Sequence, residues 1–90
     1  MYTLIFSDKA TEDLGILKKS EPRAYKKAQS LIEELMVHPR TGTGKPLRKR
    51  HDLAGYYARK ITEKHRLVYS VHDKTVTVDI VSARGHYGDK

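Results

Sequence analysis

GTGKPLRKRHDLAGYYARKITEKHRLVYSV, Gly42 to Val71, decides how this chain is read, because it passes from a glycine-rich basic loop into two runs of alternating side chains. In an extended segment Tyr57, Arg59 and Ile61 project one way and Tyr56, Ala58 and Lys60 the other. A short Thr62-Glu63-Lys64 connection returns the chain as His65 to Val71, which predicts an antiparallel hairpin. A second turn is expected near His72-Asp73-Lys74. It leads into Lys74 to Ala83, where Val76, Val78 and Ile80 alternate with Thr75, Thr77 and Asp79, the pattern of a strand with one buried and one wetter face.

Upstream the period changes. Tyr2 to Phe6 is a short β-branched and aromatic run ending at Ser7, consistent with an opening strand. From Asp8 to Lys19, Ala10, Leu14 and Leu17 fall at i, i+4 and i+7, so one face of a helix is buried, with Ser7 as its cap and Gly15 weakening it. Ser20-Glu21-Pro22 then offers a capping hydroxyl, an acid at the positive helix end and a proline in the first turn. Ala24, Ala28, Leu31, Ile32 and Leu35 carry the apolar stripe of a second helix to about Met36. His38 to Pro46, with two prolines and two glycines, ends it. The expected fold class is α+β: an N-terminal strand and two helices packed on one face of a mostly antiparallel sheet, in a single domain over residues 1–90.

The chain has 18 Lys+Arg against 11 Asp+Glu, a formal net charge of +7, and a sequence pI of about 9.7, which draws polyanions toward it. Lys45, Arg48, Lys49, Arg50, Arg59, Lys60, Lys64 and Arg66 crowd a region whose acids are Asp52 and Glu63. Nucleic acid, an acidic protein, or both are the expected partners. Cysteine is absent, so disulfides and thiolate metal sites are excluded. The five histidines show no paired i, i+4 spacing, and no metal or cofactor is expected. GTGK lacks the Ser/Thr and the upstream glycine spacing of a nucleotide loop. No window approaches a membrane span, and a cytoplasmic protein with no membrane partner is the expectation.

The run GKPLRKRHDLAGYYARKITEKHRLVYSV, followed by Arg84-Gly85-His86-Tyr87, closely resembles the Txe/YoeB branch of the RelE toxin superfamily. Members carry a GKPEPLKHNLSG-like loop, a W/YSRRI strand, an EEHRLVY strand and an RYHY-type end. The resemblance spans nearly the whole chain and implies a RelE-like fold. It also implies a ribosome-dependent mRNA endonuclease of a toxin-antitoxin pair, which cuts message in the ribosomal A site without metal. The implied partners are a cognate antitoxin, ribosome-bound mRNA, ribosomal RNA and a second copy of the chain in a homodimer.

Metal-independent RNA cleavage uses the neighbouring 2′-hydroxyl as nucleophile, so it needs a proton acceptor, a cation for the phosphorane and an acid for the leaving 5′-oxygen. The family's strand arginine falls on Arg66, whose guanidinium presents a planar fork to phosphate oxygens. Its near-terminal histidine falls on His86, a general acid suited to neutral pH, and its last tyrosine on Tyr87, able to stack on a base. Without a gap, Leu47 stands where the family carries the glutamate proposed as general base. His51 is the first substitute base, Lys49 or Arg50 can act by electrostatics alone, and a weak or inactive RNA-binding homologue is the alternative. Lys45, Arg48, Lys49, Arg50, Arg59 and Lys60 are expected as phosphate contacts. Tyr56 and Tyr57 divide by strand alternation, one packing inward, and His65 is expected in a structural role beside Arg66.

Overall fold

The computed structural model describes residues 1–39, 47–48 and 56–85. The elements are β1 (Thr3–Phe6), α1 (Asp8–Ser20), α2 (Pro22–Leu35), β2 (Leu47–Arg48), β3 (Tyr56–Lys60), β4 (Arg66–His72) and β5 (Thr77–Ser82). One sheet runs β1-β5-β4-β3-β2, with β1 parallel to β5 and the remaining pairs antiparallel. This is the α+β arrangement expected from the sequence.

Ser7 explains how the opening strand becomes a helix. Its Oγ accepts from the Ala10 N–H at 3.0 Å, satisfying a donor of the first turn, while donating to the Val81 carbonyl at 2.7 Å. The residue therefore caps α1 and fastens it to β5. The second junction departs from expectation: Ser20 is the last residue of α1, and Glu21 takes the cap position of α2 with no side-chain cap bond. Glu21 N–H closes α1 on the Leu17 carbonyl at 2.8 Å, and Pro22 starts α2 where a missing N–H costs nothing.

The helices present Ala10, Leu17, Ala24, Ala28, Leu31 and Leu35 to Ile61, Leu67, Tyr69, Val78, Ile80 and Ala83 of the sheet side. Each fully buried leucine here contributes about 2 kcal/mol relative to exposure. Tyr57 is the inward member of its pair, stacked on Tyr69 with ring centroids 5.7 Å apart. On β5, Val78 and Ile80 are buried as the alternation requires, but Val76 is 45 % exposed and sits in the turn with φ of 50°. The hairpin turn extends through Val76, which moves the strand start to Thr77. Val68 pairs with Ser82 and Tyr69 with Ile80, so Val81 is bulged out of register, and both Ile80 and Ala83 reach the core.

Candidate active site

The candidate site lies where β3 turns into β4 and where β5 leaves the ladder. Arg66 opens β4 opposite Lys60 of β3, on the face away from its buried neighbour Leu67. Its Nη1 donates to the Thr62 carbonyl at 2.8 Å and to the His65 carbonyl at 3.3 Å, docking the half-buried side chain on the turn. Among the described residues no carboxylate forms an ion pair with it, so its charge stays available to an anion. Lys60 is nearly half exposed and pairs with Glu63 in the turn.

The outgoing chain is tied to the same hairpin. The Gly85 carbonyl accepts from Arg66 N–H at 2.9 Å, and Gly85 N–H donates to His65 Nδ1 at 2.9 Å. Because Nδ1 accepts, Nε2 carries the ring proton and donates it to Glu21 Oε2 at 2.9 Å. That hydrogen bond, with Lys64 3.7 Å away assisting, holds the Glu21 carboxyl below its ordinary value against a smaller opposing effect of burial. Glu21 lacks a capping bond because its carboxylate is turned to His65.

Two residues earlier in the outgoing chain, at Ala83, a second side chain does comparable work. Asp13, buried in α1, accepts from Ala83 N–H at 3.0 Å and from Lys9 Nζ at 3.3 Å, with Arg84 Nη1 4.0 Å away. Peptide N–H groups at the end of β5 thus find side-chain acceptors once the ladder stops. Lys9, Glu21, Lys64, His65, Arg84 and Gly85 line a cleft of about 440 Å3 there. Three of these six are cations, and Glu21 is the single acid.

A basic surface at the end of a small α+β sheet, with Arg66 in no ion pair among the described residues, fits the family resemblance, and comparison decides it. Residues 6–87 match the family described as YoeB-like toxin of bacterial type II toxin-antitoxin system. The chain belongs to the YoeB toxin family. Toxin YoeB of Escherichia coli K12 is 38% identical over 84 residues, covering 93% of this chain and 98% of the relative. The solved YoeB/ParE toxin from Agrobacterium tumefaciens superposes with a TM-score of 0.88 at 30% identity, covering 94% of this chain and 99% of the other. A YoeB-YefM complex from Staphylococcus aureus gives 0.81 at 33% identity, over 97% and 99%. The protein is therefore the toxin of a type II toxin-antitoxin system.

In this YoeB-family toxin the structure brings Arg66, Lys60 and Gly85 to one end of the sheet. Arg59 is a correction. Expected as a phosphate contact, it is fully buried: Nη1 lies 2.5 Å from Glu34 Oε1, Nε donates to the Tyr69 hydroxyl at 3.1 Å, and Nη2 donates to the His38 carbonyl. A guanidinium with these partners under the sheet cannot reach a phosphate on the surface. Arg48 is placed by backbone register alone, aligned with Tyr57 of β3, as Leu47 is with Ala58. Lys45, Lys49, Arg50, His51, His86 and Tyr87 lie outside the described residues. Glu21 and Asp13 were not singled out from sequence as site residues; burial of an acid in an amphipathic helix, as at Asp13, is a signal that three-dimensional partners alone reveal.

Proposed function

We propose that this toxin is a ribosome-dependent endoribonuclease that cuts mRNA in the A site by attack of the 2′-hydroxyl on the adjacent phosphate. The observation that carries this reading is the position of Arg66: an arginine without a carboxylate partner among the described residues, hydrogen-bonded through its backbone to the residue that precedes His86. In the proposed step the 2′-oxygen forms a bond to phosphorus as a base, His51, takes its proton. The Arg66 fork stabilises the phosphorane, and His86 gives a proton to the 5′-oxygen as that bond breaks. The products are a cyclic phosphate and a free 5′-hydroxyl. Tyr87 stacks on a base beside the cut, and Lys45, Arg48, Lys49, Arg50 and Lys60 hold flanking mRNA and ribosomal RNA phosphates.

The net charge of +7 supports a cognate antitoxin with an acidic segment as the neutralising partner, in line with the YoeB-YefM complex that the fold resembles. A homodimer is the proposed free form. Leu47, at the position of the family glutamate, favours one second reading: a chain that binds the ribosome and antitoxin without cutting. An in vitro translation assay that maps breaks in a ribosome-bound message separates the two, run beside Arg66→Ala and His86→Ala. Cutting by the wild type that disappears in both variants supports the nuclease. Binding without breaks in the wild type sinks it.

A further inference from the structure

Beyond Ser82 the chain has left the ladder, and any backbone group turned inward there needs partners of another kind. Gly85 has one at each end, His65 Nδ1 for its N–H and Arg66 N–H for its carbonyl. Its φ of +69° is a left-handed conformation that glycine adopts without steric cost. Two consecutive residues of the β3–β4 hairpin thus clamp the backbone of the residue that leads into His86.

The clamp makes a chemical demand on residue 65. The ring is about 5 % exposed, so volume alone would admit an apolar side chain. An apolar side chain would leave the Gly85 N–H without its acceptor, whereas imidazole supplies an acceptor at Nδ1 and a donor at Nε2 together. Glu21 Oε2 selects that tautomer from the opposite side, at the junction of the two helices. Lys9, Lys64 and Arg84 are the other charged groups lining this cleft.

We propose that His65 is a positioning residue for RNA cleavage: its Nε2–H imidazole fixes the Gly85 backbone against Arg66 and so sets the geometry of the strand end beside the phosphate-binding guanidinium. The catalytic half rests on the nuclease reading; the clamp itself does not.

Three full-length variants test it. His65→Asn keeps an acceptor at the position of Nδ1 and loses the reach to Glu21. His65→Gln keeps a donor toward Glu21 and loses the acceptor beside Gly85. His65→Ala loses both. Hydrogen exchange at the Gly85 amide and the kcat and KM for cutting a ribosome-bound message are measured for each. The amide is expected to stay protected in wild type and His65→Asn and to exchange about tenfold faster in His65→Gln and His65→Ala. Turnover is expected within about threefold of wild type in His65→Asn and lowered about tenfold or more in the other two, with KM unchanged. Equal protection in His65→Gln and wild type overturns the clamp. Lost protection with unchanged kcat overturns the positioning role. A wild type that protects the amide yet cuts nothing supports the clamp and overturns the nuclease reading.

Discussion

Arg59 and Glu34 join strand β3 to helix α2 from within, with Nη1 2.5 Å from Oε1, the arginine side chain fully buried and the glutamate 29 % exposed. The same guanidinium donates to the Tyr69 hydroxyl and the His38 carbonyl, and Tyr69 in turn donates to the Pro39 carbonyl at 2.6 Å. The network fixes the segment that leaves α2 against the sheet. Arg59→Met removes the contacts to Glu34, Tyr69 and His38 at once and is expected to cost about 3 kcal/mol of stability in a urea titration, the scale for breaking a buried charge pair. Lys60→Ala, one residue on, breaks an exposed pair with Glu63 and is expected to cost less than about 1 kcal/mol.

Gly15 lies in the middle of α1, and a Cβ built there meets nothing within 4 Å. No close approach of backbone or side chain requires glycine at this position. Gly15→Ala is expected to stabilise the fold by about 1 kcal/mol through helix propensity and a less flexible unfolded chain, read as a raised urea midpoint with unchanged slope.

Much of this architecture is legible in the residues because local chemistry and global packing agree. Ser7 before the Ala10, Leu14, Leu17 spacing marks both the end of β1 and the start of α1, and the hairpin Tyr56 to Val71 pairs as its alternation requires. Arg59 shares a face with Tyr57 and Ile61, and once Tyr57 packs inward the alternation carries Arg59 to the helix side with it. Charge alone, without knowing which face is inward, pointed to a phosphate contact. The His65–Gly85 contact spans 20 residues and depends on how the chain leaves a bulged strand, which no local pattern encodes. The roles proposed for His86 and Tyr87 come from the family resemblance, and those for Lys45, Arg48, Lys49 and Arg50 from their charge.

Val76 shows where alternation misleads, since a β-branched residue at φ of 50° occupies a turn while looking like the first inward residue of β5. Left-handed backbone costs an L-residue about 1–2 kcal/mol. Val76 N–H bonds the Asp73 carbonyl and its own carbonyl receives Thr3 N–H, both through backbone atoms that a glycine retains. Val76→Gly is expected to gain about 1 kcal/mol in thermal or urea unfolding. A loss would mean that the exposed valine side chain packs in a way that outweighs its backbone strain.

Glu21 links stability to pH. The His65 hydrogen bond, with Lys64 beside it, keeps the folded-state carboxyl below its ordinary value of 4.5. A depressed value means that the ionised form favours folding. The contribution is therefore present above about pH 4.5 and is lost as pH falls through the lowered value. Urea midpoints of wild type and Glu21→Gln, taken at about pH 6 and about pH 3.5, are expected to differ more at the higher pH. A constant difference would show that the carboxylate charge plays no part.

Arg66→Lys separates charge from geometry at the proposed cleavage site. The native guanidinium is docked on the Thr62 carbonyl at 2.8 Å and leaves the rest of its planar fork for phosphate, whereas an ammonium offers a point charge of the same sign. If phosphorane stabilisation depends on the fork, the lysine variant cuts a ribosome-bound message about 100-fold more slowly than wild type. Its salt-dependent affinity for the ribosome stays nearly the same, because the number of neutralised phosphates is unchanged. Stability should move by less than about 1 kcal/mol, as the backbone bond to Gly85 does not involve the side chain. Full cleavage by Arg66→Lys would reduce the role of Arg66 to net charge, and an equal loss of ribosome binding and cleavage would make it a docking residue.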